Sequence, residues 1–65
     1  MKLSPREIQV LELFDRGFLW KEIANQLKIS CSTAKTHGLH VRLKLKANSM
    51  RQAAWLARQA VGTNP

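Results

Sequence analysis

Apolar residues at the two ends of the chain recur at the three- and four-residue spacing of an amphipathic helix. Each series begins at a capping box, in which a serine and a Glu or Gln three residues later accept hydrogen bonds from each other's backbone N–H groups. The two boxes are Ser4-Pro5-Arg6-Glu7 and Ser49-Met50-Arg51-Gln52. Gly17 is well placed to end the first helix. The predicted buried positions are Ile8, Val10, Leu11 and Phe14 in the first helix, and Met50, Ala53, Ala54, Ala57, Ala60 and Val61 in the last.

Two further helices are predicted between these ends. Residues 20–27 place Ile23, Ala24 and Leu27 on one side, although no Ser, Thr, Asp or Asn precedes them as a cap. A three-residue connection follows, and its last residue, Ser30, can cap the next helix. The sequence therefore predicts a pair of helices joined by a short connection in the middle of the chain.

Residues 40–46 fit two periods, because apolar and polar residues alternate there as in a half-buried strand. A strand would need a partner for its backbone groups, and no other segment alternates. A helix over residues 31–45 instead aligns one narrow buried stripe and is therefore predicted. The stripe consists of Ala34, Gly38, Val41 and Leu45, with Leu39 and Leu43 on the outer face. Glycine costs about 1 kcal/mol of helix propensity relative to alanine, so close packing or bending is expected at its position.

These patterns predict an all-α fold, a single domain over residues 1–65 in which a four-helix bundle contains a helix-turn-helix. A chain of 65 residues buries only about 60% of its unfolded surface, so a catalytic cleft is not expected and the chain is predicted not to be an enzyme. One cysteine, Cys31, excludes an internal disulfide, and with only His37 and His40 nearby it does not make a metal site; no cofactor is expected. No apolar run approaches the roughly 20 residues of a membrane span and no signal peptide is recognised, so a cytoplasmic, nucleoid-associated protein is expected. The helices are expected at about residues 5–16, 20–27, 31–45 and 49–60.

The net charge of +7 is unevenly distributed. All four carboxylates lie at or before Glu22, where four basic residues balance them, so the whole excess follows that residue. Such an asymmetry is typical of a polyanion binder, the plain alternative being a basic surface that only maintains solubility. The later cations are Lys28, Lys35, Arg42, Lys44, Lys46, Arg51 and Arg58.

The third predicted helix has the chemistry that DNA recognition by a helix-turn-helix requires. It begins with small hydroxyl residues, which allow the helix N-terminus to approach a phosphate group. Side chains on its outer face can then reach base edges in the major groove. The combination predicts duplex DNA as the partner.

The chain also carries a long motif of fixed spacing. Its members are Leu3-Ser4-Pro5-Arg6-Glu7, Val10-Leu11, Gly17, Lys21-Glu22-Ile23-Ala24, Leu27, Ile29-Ser30, Thr33, Lys35, His37, Lys44-Leu45 and Gln52-Ala53. Over this span, from Leu3 to about Arg58, the chain resembles the LuxR/GerE-type helix-turn-helix family. The resemblance implies the DNA-binding output domain of a bacterial transcription regulator, a homodimer formed by the fourth helix, and an N-terminal receiver or ligand-binding domain outside this chain.

The resemblance also implies a role for individual residues. The expected base contacts are Lys35, whose ammonium can donate to guanine O6 and N7, Thr36 and Leu39. The expected phosphate contacts are Lys21, Ser32, Thr33, His37 and Lys44. The expected dimer interface consists of Ala54, Trp55, Ala57 and Arg58.

The chain departs from the family pattern at several positions, which are Leu19-Trp20, Ala34, Gly38, Leu39 and Met50. Leu39 and Leu43 can offer a base only apolar contact, for instance to a thymine methyl group. Two alternative functions remain open from the sequence. The first is a degenerate helix-turn-helix that binds a protein through Leu39, Leu43 and Trp20, and the second is nonspecific binding to DNA or RNA.

Overall fold

Four helices account for most of the structure, a computed structural model that describes residues 3–61, with side chains through Gln59. They are α1 (Pro5–Asp15), α2 (Trp20–Leu27), α3 (Cys31–Leu45) and α4 (Met50–Val61), and residues 3–61 contain no strand. The all-α prediction is confirmed, and every helix begins and ends within one residue of its expected bounds. The expected burial of Ala60 and Val61 lies outside the described side chains. No helix in the described range is long and apolar enough to cross a bilayer.

Side-chain hydrogen bonds explain where the first two helices begin. Ser4 Oγ accepts from the backbone N–H of Glu7 at 3.2 Å, and Glu7 Oε1 accepts from the N–H of Ser4 at 2.9 Å. This completes the predicted capping box. At the start of α2, the N–H of Leu19 donates to Glu22 Oε1 at 2.8 Å, although the Leu19 side chain caps nothing. The carboxylate thus supplies half of a capping box where no polar cap residue exists.

The last two helices begin at serine caps. Ser30 Oγ accepts from the backbone N–H of Thr33 at 3.0 Å, and Ser49 Oγ accepts from that of Gln52 at 3.1 Å. The Gln52 side chain accepts from the N–H of Asn48 and not from that of Ser49. The second capping box therefore reaches one residue further back than the sequence motif predicts.

A residue with positive φ follows the end of each of the first three helices. Gly17 follows α1 with φ of +96°, a conformation that side chains other than glycine rarely adopt. Lys28 and Lys46, at the ends of α2 and α3, are left-handed with φ of +58° and +55°. Two lysines therefore occupy positions where glycine or asparagine is the usual residue.

Two clusters of buried side chains hold the helices together. One joins α1, α3 and α4, and the other joins α1, α2 and α3. Phe14 and Trp20 pack against both clusters, so the core is continuous. The first cluster consists of Leu11, Val41, Met50, Ala53 and Ala54, and the second of Val10, Ile23, Ala24 and Ala34.

One predicted core position on α1 is wrong. Ile8 is 42% exposed, whereas its neighbour Glu7 is only 5% exposed. Glu7 is drawn inward because its carboxylate has partners there, the backbone of Ser4 and the ammonium of Lys44. A carboxylate that is hydrogen-bonded and paired with an opposite charge can be buried at an acceptable cost, which the hydrophobic period does not register.

Trp20 packs inside the bundle. Its ring lies 5.6 Å from that of Phe14, centroid to centroid, and its outer edge covers Gly38 in the middle of α3. Gly38 is thus explained by close packing. Trp20 is also removed from the outer surface that it was expected to share with Leu39 and Leu43 under the protein-binding alternative.

Candidate nucleic-acid interface

Most carboxylates of the chain are engaged within the fold. Lys44 Nζ lies 2.8 Å from Glu7 Oε1, Arg58 forms an ion pair with Asp15, and Glu22 accepts the hydrogen bond at the start of α2. Helix α3 itself has no acidic residue. The outer face of α3 therefore carries positive charge with no carboxylate on the same helix to offset it.

Burial of one stripe determines which side of α3 faces outward. Ala34 and Val41 are completely buried, and Gly38 is covered by Trp20. Leu45 is partly buried against the cluster that joins α1, α3 and α4. The predicted buried stripe of α3 is confirmed, and the opposite face is directed away from the bundle.

The three residues expected to contact bases all lie on that outward face. Lys35, Thr36 and Leu39 are exposed, and Leu39 keeps 44% of its surface accessible. The hydroxyl of Thr36 donates to the backbone carbonyl of Ser32 at 3.0 Å. Thr36 can therefore offer a base its methyl group and an accepting oxygen, while its hydrogen is already used.

The N-terminus of α3 presents small exposed side chains. Cys31, Ser32 and Thr33 are exposed, and the hydroxyl of Ser30 donates to Thr33 Oγ1 at 2.8 Å. The first backbone N–H groups of a helix have no partner within it, and the helix dipole favours an anion beside them. Two of the expected phosphate contacts, Ser32 and Thr33, lie at this end of α3.

The remaining expected phosphate contacts differ in exposure. Lys21 is exposed in the first turn of α2, directly after Trp20, which packs on the middle of α3. His37 is half-buried on the flank of α3. The start of α2 therefore lies alongside the centre of α3.

Lys44 has a partner inside the protein. Its ammonium bonds to Glu7, whose other carboxylate oxygen lies 3.8 Å from His40 Nδ1. The hydrogen bond from Lys44, followed by that from the backbone of Ser4, lowers the pKa of Glu7 below its ordinary value, and desolvation opposes this only in part. The ion pair between Glu7 and Lys44 links α1 to the C-terminal half of α3. Neither Glu7 nor His40 was expected from the sequence to lie near Lys44 in this way. No sequence signal could have revealed it, because the two residues are 37 positions apart.

The four residues expected to form a dimer interface divide between the core and the surface. Ala54 is only 5% exposed and belongs to the core, and Ala57 packs against the same cluster. Trp55 is 52% exposed, and Arg58 is exposed but paired with Asp15. The outer face of α4 therefore offers Trp55 and Arg58 to a partner, whereas Ala54 contributes to the fold of its own chain.

Comparison with known proteins identifies relatives of the whole bundle. The family model described as "Bacterial regulatory proteins, luxR family" matches residues 1–57. The nitrate/nitrite response regulator protein NarL of Escherichia coli strain K12 is 38% identical over 61 residues, which cover 92% of this chain and 28% of NarL. The oxygen regulatory protein NreC of Staphylococcus carnosus is 40% identical over 47 residues, covering 72% of this chain and 22% of NreC. The chain thus spans less than a third of the length of these relatives.

Proposed function

The chain belongs to the luxR family of bacterial regulatory proteins, a family of DNA-binding domains of transcription regulators, and from this premise we propose that it binds duplex DNA sequence-specifically through α3. The observation that carries the proposal is the orientation of α3. Its buried stripe turns an acid-free, partly cationic face outward. A helix presented in this way fits the major groove of B-form DNA.

Base recognition is assigned to Lys35, Thr36 and Leu39. The ammonium of Lys35 can donate to guanine O6 and N7, which are acceptors in the major groove. Thr36 and Leu39 extend the same exposed face toward the middle of the helix. These three side chains would make the contacts that distinguish one operator from another.

Phosphate contacts would position the helix in the groove. Ser32 and Thr33 lie at the N-terminus of α3, where the helix dipole favours an anion, and Lys21 and His37 lie beside it. Lys44 can take part without releasing Glu7, because an ammonium has three donors and Glu7 uses one of them. These contacts supply affinity that depends on salt but carry no sequence information.

The outer face of α4 would form a homodimer. Trp55 is a large apolar residue exposed on this helix, and a half-exposed indole is a frequent centre of subunit contacts. Arg58 and the partly exposed Ala57 would lie at the margin of this dimer interface. Two copies related by a two-fold axis would then contact two half-sites of a symmetric operator.

The short coverage of the relatives suggests a longer regulator. The matched part of NarL is 28% of that protein, and NarL is named a response regulator. We infer that this domain is the output part of a cytoplasmic, nucleoid-associated regulator whose receiver or ligand-binding domain precedes it. The input signal would then act by making the DNA-binding surface or the dimer interface available.

Selection of bound sequences from a random duplex pool tests the proposal. An enriched half-site is expected, and Lys35→Ala should weaken binding to it by roughly 1–3 kcal/mol while random DNA is less affected. Arg16→Ala, which removes one exposed charge just after the end of α1, is the matched control and should weaken binding to both DNAs slightly and equally. Equal losses for Lys35→Ala on both DNAs would contradict base recognition by this residue.

The protein-binding alternative rests on the exposure of Leu39 and Leu43, which are 44% and 64% accessible. It predicts little or no salt-dependent binding to any duplex, because phosphate neutralisation would not contribute. A titration of binding against salt concentration therefore separates the two functions. A steep decrease in affinity with salt supports DNA binding, and its absence supports the protein-interaction module.

A further inference from the structure

We propose that Leu39 and Leu43 form a thymine-selective ridge, in which each leucine contacts the 5-methyl group of a thymine in the major groove. The inference rests on the proposed function, since it requires α3 to lie in that groove. It deepens the function by naming the chemical feature of the operator that this chain recognises. It also accounts for two large apolar side chains that the bundle leaves in solvent.

The ridge lies directly opposite the buried stripe of α3. At about 100° per residue, Ser32, Thr36, Leu39 and Leu43 fall within a sector of about 60° whose centre is on the far side of the helix from Ala34 and Val41. All four residues of this sector are exposed, and the ridge leucines are two of them. They are therefore the part of α3 that protrudes furthest from the bundle and would enter deepest into a groove.

The ridge carries no charge along its length. Lys35 and Arg42 lie on one flank and Lys44 on the other, so the cations border the ridge, and Lys35, which neighbours Leu39 on the helix surface, remains within reach of a base edge. The single hydroxyl hydrogen of Thr36 is donated to the carbonyl of Ser32. Thr36, Leu39 and Leu43 therefore present mainly methyl groups to a base edge.

Thymine is the base that matches such a surface. In the major groove of ordinary DNA, the C5-methyl of thymine is the one methyl group on the base edges, which otherwise present mainly donors and acceptors that leucine cannot satisfy. Leu39 and Leu43 are four residues apart, about 6 Å along the helix. They would therefore contact different base pairs, which predicts thymines at two positions of each half-site.

Replacement of thymine by deoxyuridine tests the ridge, because it removes the 5-methyl group and retains every hydrogen-bonding group. The half-site enriched from a random duplex pool is resynthesised with each thymine replaced singly, and affinities are measured for the wild-type chain. A loss of roughly fourfold is expected at two positions, the value for one buried methyl group at each. Leu39→Ala should bind the thymine and uracil duplexes equally at one of them, and Leu43→Ala at another.

Leu19→Ala is the matched control, since it shortens another exposed leucine, just before α2, and should retain the preference for thymine over uracil. The two α3 variants should keep the melting temperature of the wild type, because their side chains lie outside the core. An enriched half-site with equal affinity for thymine and uracil at all positions would overturn the ridge while leaving sequence-specific binding intact. A pool in which no half-site is enriched would contradict both the ridge and sequence-specific binding. Wild-type affinity and preference in Leu39→Ala and Leu43→Ala would show that the leucines do not contact thymine and would overturn the inference.

Discussion

The indole ring of Trp20 occupies the space that a side chain on residue 38 would need. An ideal Cβ atom at Gly38 would overlap Trp20 Cη2 and lie 3.1 Å from Cζ3. Both residues depart from the family pattern, and the structure shows that the departures are complementary. A large ring at the first position of α2 is accommodated because α3 has no side chain where the two helices meet.

This relationship predicts that the effect of Gly38→Ala depends on Trp20. In the wild-type chain the added methyl group forces the ring or the helices apart, which should cost about 1–3 kcal/mol despite a gain in helix propensity of about 1 kcal/mol. In a Trp20→Phe background the outer ring is absent, so the same change should be neutral or stabilising. Urea unfolding of the four proteins measures the coupling. Equal effects of Gly38→Ala in both backgrounds would show that the two side chains are independent.

The ion pair between Glu7 and Lys44 predicts a loss of stability in acid. The pKa of Glu7 in the folded chain lies below its ordinary value of 4.5, so the unfolded chain binds the proton first as the pH falls. The ion pair therefore makes its full contribution to the free energy of unfolding at pH values above the ordinary pKa of Glu7. This contribution decreases as the pH falls below that value and is lost once the pH is below the folded-state pKa. Thermal melts between pH 7 and pH 2 measure this contribution.

Glu7→Gln is the matched variant for that experiment. It keeps the shape of the side chain and an acceptor for the Ser4 backbone, but it removes the charge that Lys44 binds. Its unfolding free energy should be lower than that of the wild type by about 1–3 kcal/mol at neutral pH, and the difference should shrink in acid. A difference that stays constant across the pH range would assign the loss to packing.

The left-handed conformation of Lys28 predicts that Lys28→Gly stabilises the fold. A left-handed backbone costs a residue with a Cβ atom about 1–2 kcal/mol, which glycine avoids, although it loses more entropy on folding. The net gain should be about 0.5–1 kcal/mol by urea unfolding. Lys21→Gly removes the same exposed side chain within α2 and should instead destabilise by about 1 kcal/mol. The opposite signs of the two effects distinguish backbone conformation from loss of charge.

Dimerisation through α4 predicts concentration-dependent sedimentation that Trp55→Ala abolishes. Trp55 is half-exposed, so its truncation should affect association more than folding. Gln26→Ala, on the exposed side of α2, is the control and should sediment as the wild type does. A chain that remains monomeric at high concentration, both free and on DNA, would rule out this interface.

The helices were predictable from the sequence because the signals that define them are local. Capping boxes at Ser4 and Ser49, a serine cap at Ser30, and Gly17 act over three or four residues, and each helix begins and ends within one residue of the expected position. The same holds for the rotation of α3, since the spacing of its apolar residues specifies the buried stripe. The outward face of α3 followed from that stripe, whereas the individual candidate DNA contacts followed from the family resemblance.

Tertiary structure decided the interactions between residues distant in sequence. Hydrophobic period favoured Ile8 as a buried residue, but the arrival of Lys44 from α3 placed Glu7 inside instead. The space that Trp20 fills exists only where α2 crosses α3. Ala54, which pattern alone could assign to the core or to a dimer, became a core residue because α4 packs against α1 and α3. Local backbone and hydrogen-bonding preferences determine where helices begin and end. The burial of Glu7, the packing of Trp20 and the place of Ala54 in the core depend instead on which surfaces the fold brings into contact.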